Sequence, residues 1–285
     1  MPKKIKVVVL GAGTMGNGIA QTFAMHGHAV TMVDLSSDAL SSGMAMIEKS
    51  LARFVKKEIL PQDAADAALG LISTSQEMES ASSDAGLIVE AVFENEDVKK
   101  DIFKKLDAVA PADAILASNT SSISITRIAS ATTRPDKVIG MHFMNPVPLM
   151  KLVEIIKGER TSDETLATTF ALSEGLGKVV GIAEDYPGFI ANRILMPMIN
   201  EAAFALMEGV GTREAIDTVM KFGCNFPMGP LTLADFIGLD ICVSILDVLH
   251  EGLGDPKYRC CPMLRRLVEA GKLGRKSGEG FYSYK

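Results

Sequence analysis

Two residues between Val138 and Ile156 have types and spacing suited to moving a proton. His142 closes a short apolar run, and Glu154 lies between Leu152 and Ile156, two residues from each. In a strand, alternation sends Leu152, Glu154 and Ile156 to one face. A carboxylate between two large apolar side chains needs a proton or a cation close by, because an unpaired buried charge forfeits its solvation. His142, at the end of the neighbouring strand, is the best-placed partner. An imidazole held and polarised by a buried carboxylate is a general acid and base. The plainer reading is a satisfied structural histidine beside a glutamate that faces solvent. The rest of the chain has to decide between the two.

The elements that must position this pair follow from the pattern on either side. Pro146 and Pro148 make two X-Pro steps between the strands, so the connection is expected to be extended and not helical. The β-branched run Lys4–Leu10 feeds Gly11-Ala12-Gly13-Thr14-Met15-Gly16, a helix-period segment runs from Asn17 to His26, and Gly27 suits its end. A second strand, Ala29–Val33, ends at Asp34. This is the dinucleotide-binding fingerprint in its required context. Gly11 allows the tight turn, Gly13 a close approach to a pyrophosphate, and Gly16 close packing of helix on strand. The helix start offers unpaired N–H groups to phosphate. Asp34 can accept hydrogen bonds from an adenosine ribose and would repel a 2′-phosphate, so NAD is expected over NADP.

Residues 37 to 69 read as a polar-amphipathic helical hairpin turning at Pro61, longer than one crossover helix requires. Its first arm carries Lys49, Arg53, Lys56 and Lys57, either a solvated face or a clamp for the phosphates of a long substrate. Further strands are expected at Leu71-Ile72, Gly86–Phe93, Ala114–Ser118 and Lys178–Ile182, with helices over 97–109 and 162–175. Ligands in open parallel sheets sit at the carboxyl ends of the strands, where Glu94, Ser121 and His142 all fall. Ser122 or Ser124 suits a helix N-cap. The α/β alternation stops at Asp185-Tyr186-Pro187-Gly188, the expected boundary between domains 1–186 and 187–285.

Beyond the boundary the pattern is helical. Ile190, Ile194, Met198, Ala202 and Leu206 recur every four residues as an expected apolar stripe, on a helix that Pro197 should bend. Thr212 suits the cap of a helix ending near Gly223. Phe236–His250 reads as one strongly apolar helix, apolar enough to suggest a surface shared with a second subunit. The basic, glycine-rich tail from Lys272 is expected to be a mobile end or a loop against a phosphate or carboxamide. The fold class is α/β: a Rossmann-type doubly wound sheet with a helical-hairpin insertion, then an all-α C-terminal domain.

Composition narrows the function classes. The 285 residues are 47% hydrophobic, enough for a sizeable core, and no apolar run reaches the length of a membrane span. An opening strand by Ile5 leaves no room for a targeting peptide, so a cytoplasmic protein is expected. Cys224, Cys242, Cys260 and Cys261 show no metal-ligand spacing; reduced structural thiols and no metal are expected. A net charge of −6 disfavours nucleic acid as a partner.

Taken together, these residues resemble the L-3-hydroxyacyl-CoA dehydrogenase family, most closely its bacterial 3-hydroxybutyryl-CoA branch. The resemblance is carried by Gly11–Gly16, Ser118-Asn119-Thr120-Ser121-Ser122, His142-Phe143-Met144-Asn145-Pro146, Lys151–Glu154, Asp185–Phe189 with Asn192-Arg193, Pro227–Pro230 and Gly278–Tyr282. It implies a catalytic His142 with Glu154 as its carboxylate and substrate-oxygen contacts at Ser121 and Asn192. It also implies NAD contacts around Asp34, Glu94, Lys99, Ser121, Asn145 and Lys276, and coenzyme A contacts at Ser50 and Lys57. The implied reaction interconverts (S)-3-hydroxybutyryl-CoA and acetoacetyl-CoA with NAD(H) in a homodimer joined through the C-terminal domain. Two alternatives remain at this level: a 3-hydroxy-carboxylate dehydrogenase that does not use coenzyme A, and a nonenzymatic NAD-binding protein.

Overall fold

The structure is a computed structural model that describes residues 4–284. The chain divides into two compact units between Tyr186 and Pro187. The first opens with β1 (Lys6–Leu10), α1 (Thr14–Met25) and β2 (Ala29–Val33). The hairpin α2 (Ser37–Lys56) and α3 (Gln62–Gly70) follows, then β3 (Ile72–Ser75), α4 (Met78–Ser82) and β4 (Leu87–Glu90). After α5 (Glu96–Val109) come β5 (Ile115–Ser118), α6 (Ile125–Ala129), β6 (Val138–Phe143) and β7 (Leu152–Lys157). The unit closes with α7 (Asp163–Gly175) and β8 (Val179–Glu184).

The strands form one eight-stranded sheet in the order β3-β2-β1-β4-β5-β6-β7-β8. Strands β1 to β6 run parallel, as a doubly wound fold requires; β7 runs antiparallel to β6, and β8 parallel to β7. Helices start where short polar side chains can take up orphan N–H groups: Ser36, Asn95, Ser124 and Ser162 each accept from the third residue on. The core joins Val7, Val9, Ile19, Phe23, Met141 and Phe143 between sheet and helices.

Local details depart from the sequence reading in three places. The strand read over Gly86–Phe93 ends at Glu90, where the backbone turns away to carry the loop toward α5. The short helix α4 gave no periodic signal, being five residues of small and polar types. The connection 144–151 is a turn and not extended: Leu149 and Met150 both donate N–H to the Pro146 carbonyl at 3.0 Å. A proline φ suits a turn as well as an extended chain, and the two acceptor bonds select the turn.

The second unit is helical: α8 (Ala191–Met207), α9 (Arg213–Thr218) running into a π turn at Val219–Gly223, α10 (Pro230–Ile237), α11 (Leu239–Leu253) and α12 (Pro262–Glu269). Its core gathers Met196, Ile199, Leu231, Leu239, Leu246, Leu249 and Leu264. The stripe expected on α8 is its buried face only in part. Ile190 and Ile194 are exposed, whereas Ala202 is buried, Met198 and Leu206 pack against the core, and Met196, Ile199 and Ala203 beside them are buried. A strict four-residue step overshoots the 3.6-residue turn and drifts around the helix.

Phe236–His250 is two helices, because Gly238 at φ +108° ends α10 and starts α11. The buried residues of α11, Leu239, Cys242, Ile245, Leu246 and Leu249, are absorbed by the unit's own core. Its apolarity therefore gives less support to a shared subunit surface than expected. The tail docks on the unit's own core, with Phe281 buried in it. Buried Asp235 accepts N–H bonds from Phe281 (2.8 Å) and Tyr282 (2.9 Å), and the Tyr284 hydroxyl at 2.9 Å. Among the described residues, no helix is long and apolar enough to cross a membrane.

Candidate active site

The glycine turn after β1 is shaped by close approaches on two sides and by open space on the third. A Cβ on Gly11, which holds φ +100°, would lie 2.6 Å from the Ala91 carbonyl oxygen. At Gly16 it would overlap the Gly11 carbonyl. At Gly13 it would meet nothing within 4 Å. The first turn of α1, with Thr14 and Met15, has no side-chain cap, so its N–H groups stay available to an anion. Asp34 sits at the end of β2, with Oδ2 accepting from Ala12 N (2.9 Å) and Oδ1 from Ser36 N (3.0 Å). An open glycine, an uncapped helix start and a fixed carboxylate fit a dinucleotide's phosphates and ribose.

At the end of β4 the chain builds a buried ionic cluster. Glu90 and Lys99 are both fully buried and pair at 2.6 Å. Glu90 also accepts from the Ser118 hydroxyl (2.6 Å) and from Val92 N (2.8 Å). The Lys99 ammonium reaches Glu94 as well, at 3.4 Å. Glu94 in turn organises the loop after β5, accepting from the Thr120 hydroxyl (2.5 Å), the Ser122 hydroxyl (2.9 Å) and the Ser121 and Ser122 N–H groups (3.1 and 3.2 Å). Burial pushes the Glu94 carboxyl up, but the Lys99 charge and these hydrogen bonds outweigh it and hold it below its ordinary value. Lys99, expected to touch the cofactor, is fully buried, and its ammonium faces both Glu90 and Glu94.

His142 and Glu154 are directly opposed across the single antiparallel pairing of the sheet, β6 against β7. His142 Nδ1 lies 3.0 Å from Glu154 Oε2, and both residues are buried. A carboxylate only accepts, so in this contact Nδ1 carries the hydrogen. The next residue is held as well: Phe143 donates its N–H to the Asn119 side-chain oxygen at 2.9 Å. Asn119 thus ties the Ser121 loop to the end of the histidine strand.

A cleft of about 310 Å³ runs between the start of α1, the later half of α2 and the β6–β7 turn. Ser50, Lys49 and Arg53 line one side, Asn145 to Pro148 the other, and Thr14, Asn17 and Gln21 the floor. Lys57 ends α2 on the surface and is not among the lining residues. A larger hollow, about 430 Å³, lies between α2 and the end of β3. Its lining (Ser37, Ser41, Thr74 and Gln76 among others) includes neither His142 nor the glycine turn, so size does not choose the site. Asn192 and Lys276 belong to the second unit. Asn192 is buried in the first turn of α8, and Lys276 pairs with Asp240 at 2.6 Å.

Residues 6–186 match the NAD-binding domain of 3-hydroxyacyl-CoA dehydrogenase, and residues 188–284 match its C-terminal domain. The chain belongs to the 3-hydroxyacyl-CoA dehydrogenase family. It is 55% identical to the 3-hydroxybutyryl-CoA dehydrogenase of Bradyrhizobium diazoefficiens, over 98% of this chain and 95% of that one. The mitochondrial hydroxyacyl-coenzyme A dehydrogenase of Homo sapiens is 44% identical over 98% and 91%. Among solved structures, the (S)-3-hydroxybutyryl-CoA dehydrogenase of Ralstonia eutropha superposes with a TM-score of 0.96 at 48% identity, covering 99% of this chain and all of that one.

NAD is the family's cofactor, and the turn and carboxylate described above suit it. Within this family frame, Glu90 and Asn119 escaped the reading of the sequence. Glu90 left a signal: an acid inside an otherwise apolar strand, the same signal that marked Glu154. Asn119 stood only inside the Ser118–Ser122 motif, with no role of its own, because its partner is distant in sequence.

Proposed function

We propose that this 3-hydroxyacyl-CoA dehydrogenase interconverts (S)-3-hydroxybutyryl-CoA and acetoacetyl-CoA with NAD(H), with His142 and Glu154 as its acid/base pair. The observation that carries the reading is the buried 3.0 Å contact between the two side chains at the catalytic end of a dinucleotide-binding sheet. Glu154 fixes the tautomer and the orientation of the ring. His142 Nε2 takes the hydroxyl proton in oxidation and returns it to the forming oxygen in reduction. The nicotinamide, when bound, accepts or supplies the hydride. Ser121, on the loop that Glu94 holds, donates to the reacting oxygen or the thioester carbonyl; Asn192, carried by the second unit, is assigned the same kind of contact. Asp34, Glu94, Asn145 and Lys276 are assigned to NAD.

The cleft beside Ser50 takes the coenzyme A arm, with Arg53 and Lys57 nearby in sequence for its phosphates. The second unit is assigned to substrate and dimer contacts, since Val219, Phe222, Phe236 and Ile241 leave apolar surface exposed on it. The protein is read as a cytoplasmic homodimer without nucleic-acid or membrane partners. The deciding measurement is NADH oxidation with acetoacetyl-CoA, run beside free acetoacetate and beside NADPH. Turnover with the thioester and not with the free acid supports the reading. Equal turnover of the free acid would transfer it to a carboxylate dehydrogenase, and NADH binding without any turnover would remove enzymatic function. Sedimentation of the pure protein checks the dimer.

A further inference from the structure

Lys178 stands at the head of β8, and the reaction just described does not use it. The residue is 8% exposed, and its side chain turns inward. Its ammonium donates to two backbone carbonyls, Val147 at 2.6 Å and Met150 at 2.7 Å. Among the described residues no carboxylate pairs with it. Burial pushes its pKa down from the ordinary lysine value. An ammonium in such a place is expensive to desolvate, and carbonyl dipoles compensate it less fully than a carboxylate would.

What the ammonium holds gives the reason for its place. Both carbonyls belong to the β6–β7 turn, which has few donors of its own because residues 146 and 148 are prolines. Val147 is buried against α1: a Cβ on Gly18 would come within 3.0 Å of it. Pro146, Val147 and Pro148 are one wall of the cleft that faces Ser50 and Arg53. His142 is anchored separately, by the β6–β7 ladder and by Asn119.

We propose that Lys178 is a positioning residue for the acyl-CoA cleft: by holding the Val147 and Met150 carbonyls it fixes the Pro146–Pro148 wall and sets the width available to the coenzyme A arm. The proposal rests on the assignment of that cleft to coenzyme A. Because the histidine has its own anchors, loss of the lysine acts on substrate affinity and leaves proton transfer in place.

The test compares wild type, K178M and K178R with two substrates at saturating NADH: acetoacetyl-CoA and the truncated thioester acetoacetyl-N-acetylcysteamine. K178M is expected to raise KM for acetoacetyl-CoA about tenfold, with kcat and the KM of the truncated thioester little changed and NADH affinity by fluorescence unmoved. K178R, whose guanidinium can still donate to two carbonyls, is expected to restore part of the loss. A KM that rises equally for both thioesters, a kcat that falls while KM stays, or no change at all overturns the proposal. Should K178M not fold, K178Q carries the same test through the ratio of the two KM values: a raised ratio sustains the proposal and an unchanged ratio ends it. If wild type turns over neither thioester, the assigned reaction fails on its own. Calorimetric titration with coenzyme A then decides for Lys178, which requires weaker binding by the variant.

Discussion

Glu90 and Glu154 are buried carboxylates in one sheet, and their partners give them different work. Glu90 meets a lysine, a serine hydroxyl and a backbone N–H, so every partner donates to it. Glu154 meets an imidazole, the one side chain whose ordinary titration falls between pH 5 and 8. Burial is alike in the two places; what differs is the chemical type of the partner. The first cluster is a scaffold that hands its order on through Glu94 to the Ser121 loop. The second is the pair we assign to proton exchange.

The contrast breaks most visibly at the histidine. His142→Gln is expected to lower kcat by about 10³-fold while NADH binding and melting temperature stay close to wild type; steady-state kinetics beside fluorescence titration measure both. Near-normal turnover would remove His142 from the chemistry. At the scaffold the effect should fall on folding instead. Lys99→Met strands Glu90 without its cation and is expected to cost about 3 kcal/mol of stability by denaturant unfolding. The double variant Glu90→Leu with Lys99→Met should recover much of that loss, and failure to recover would show that the pair does more than neutralise itself.

Glu154→Gln sharpens the comparison from the other side. It keeps the shape but no longer enforces one tautomer, and kcat is expected to fall by about 10²-fold, with less effect on stability than Lys99→Met. The smallest effect concerns acid. The Glu94 carboxyl is held below its ordinary value of 4.5, so the stability it contributes is present above that value and fades only as pH falls through its lower, folded value. The melting difference between wild type and Glu94→Gln should therefore stay constant from pH 7 to about 5 and shrink at more acid pH. A difference that already shrinks near pH 6 would contradict it.

Local pattern made much of this legible in advance. Strand alternation alone placed Glu154 on the face that meets His142, and the glycine spacing with Asp34 specified the turn and the first crossover. Pro61 marked the hairpin, and Ser124 and Thr212 were recognisable as caps because a cap is a contact three residues long. What stayed hidden depends on partners far away in the chain. Lys178 is one residue at the start of a strand, and nothing nearby announces that its ammonium ends on carbonyls 28 and 31 residues back. The docking of the tail on Asp235 joins positions 46 to 49 apart. Gly238 was visible as a glycine, but only its positive φ turns one apolar run into two helices. Glu90 could have been found with the same argument that found Glu154, as an acid in an otherwise apolar strand.

The antiparallel register of β6 and β7 has an evolutionary consequence. A slip of one rung would swing Glu154 to the opposite side of the sheet, so both strands are closed to insertion. Residues 144–151 lie outside the rungs that set the dyad, and they can change composition or length without moving it. Descendants of this chain could therefore retailor the grip on the long arm of their substrate by remaking the connector, inheriting the His142–Glu154 register unaltered.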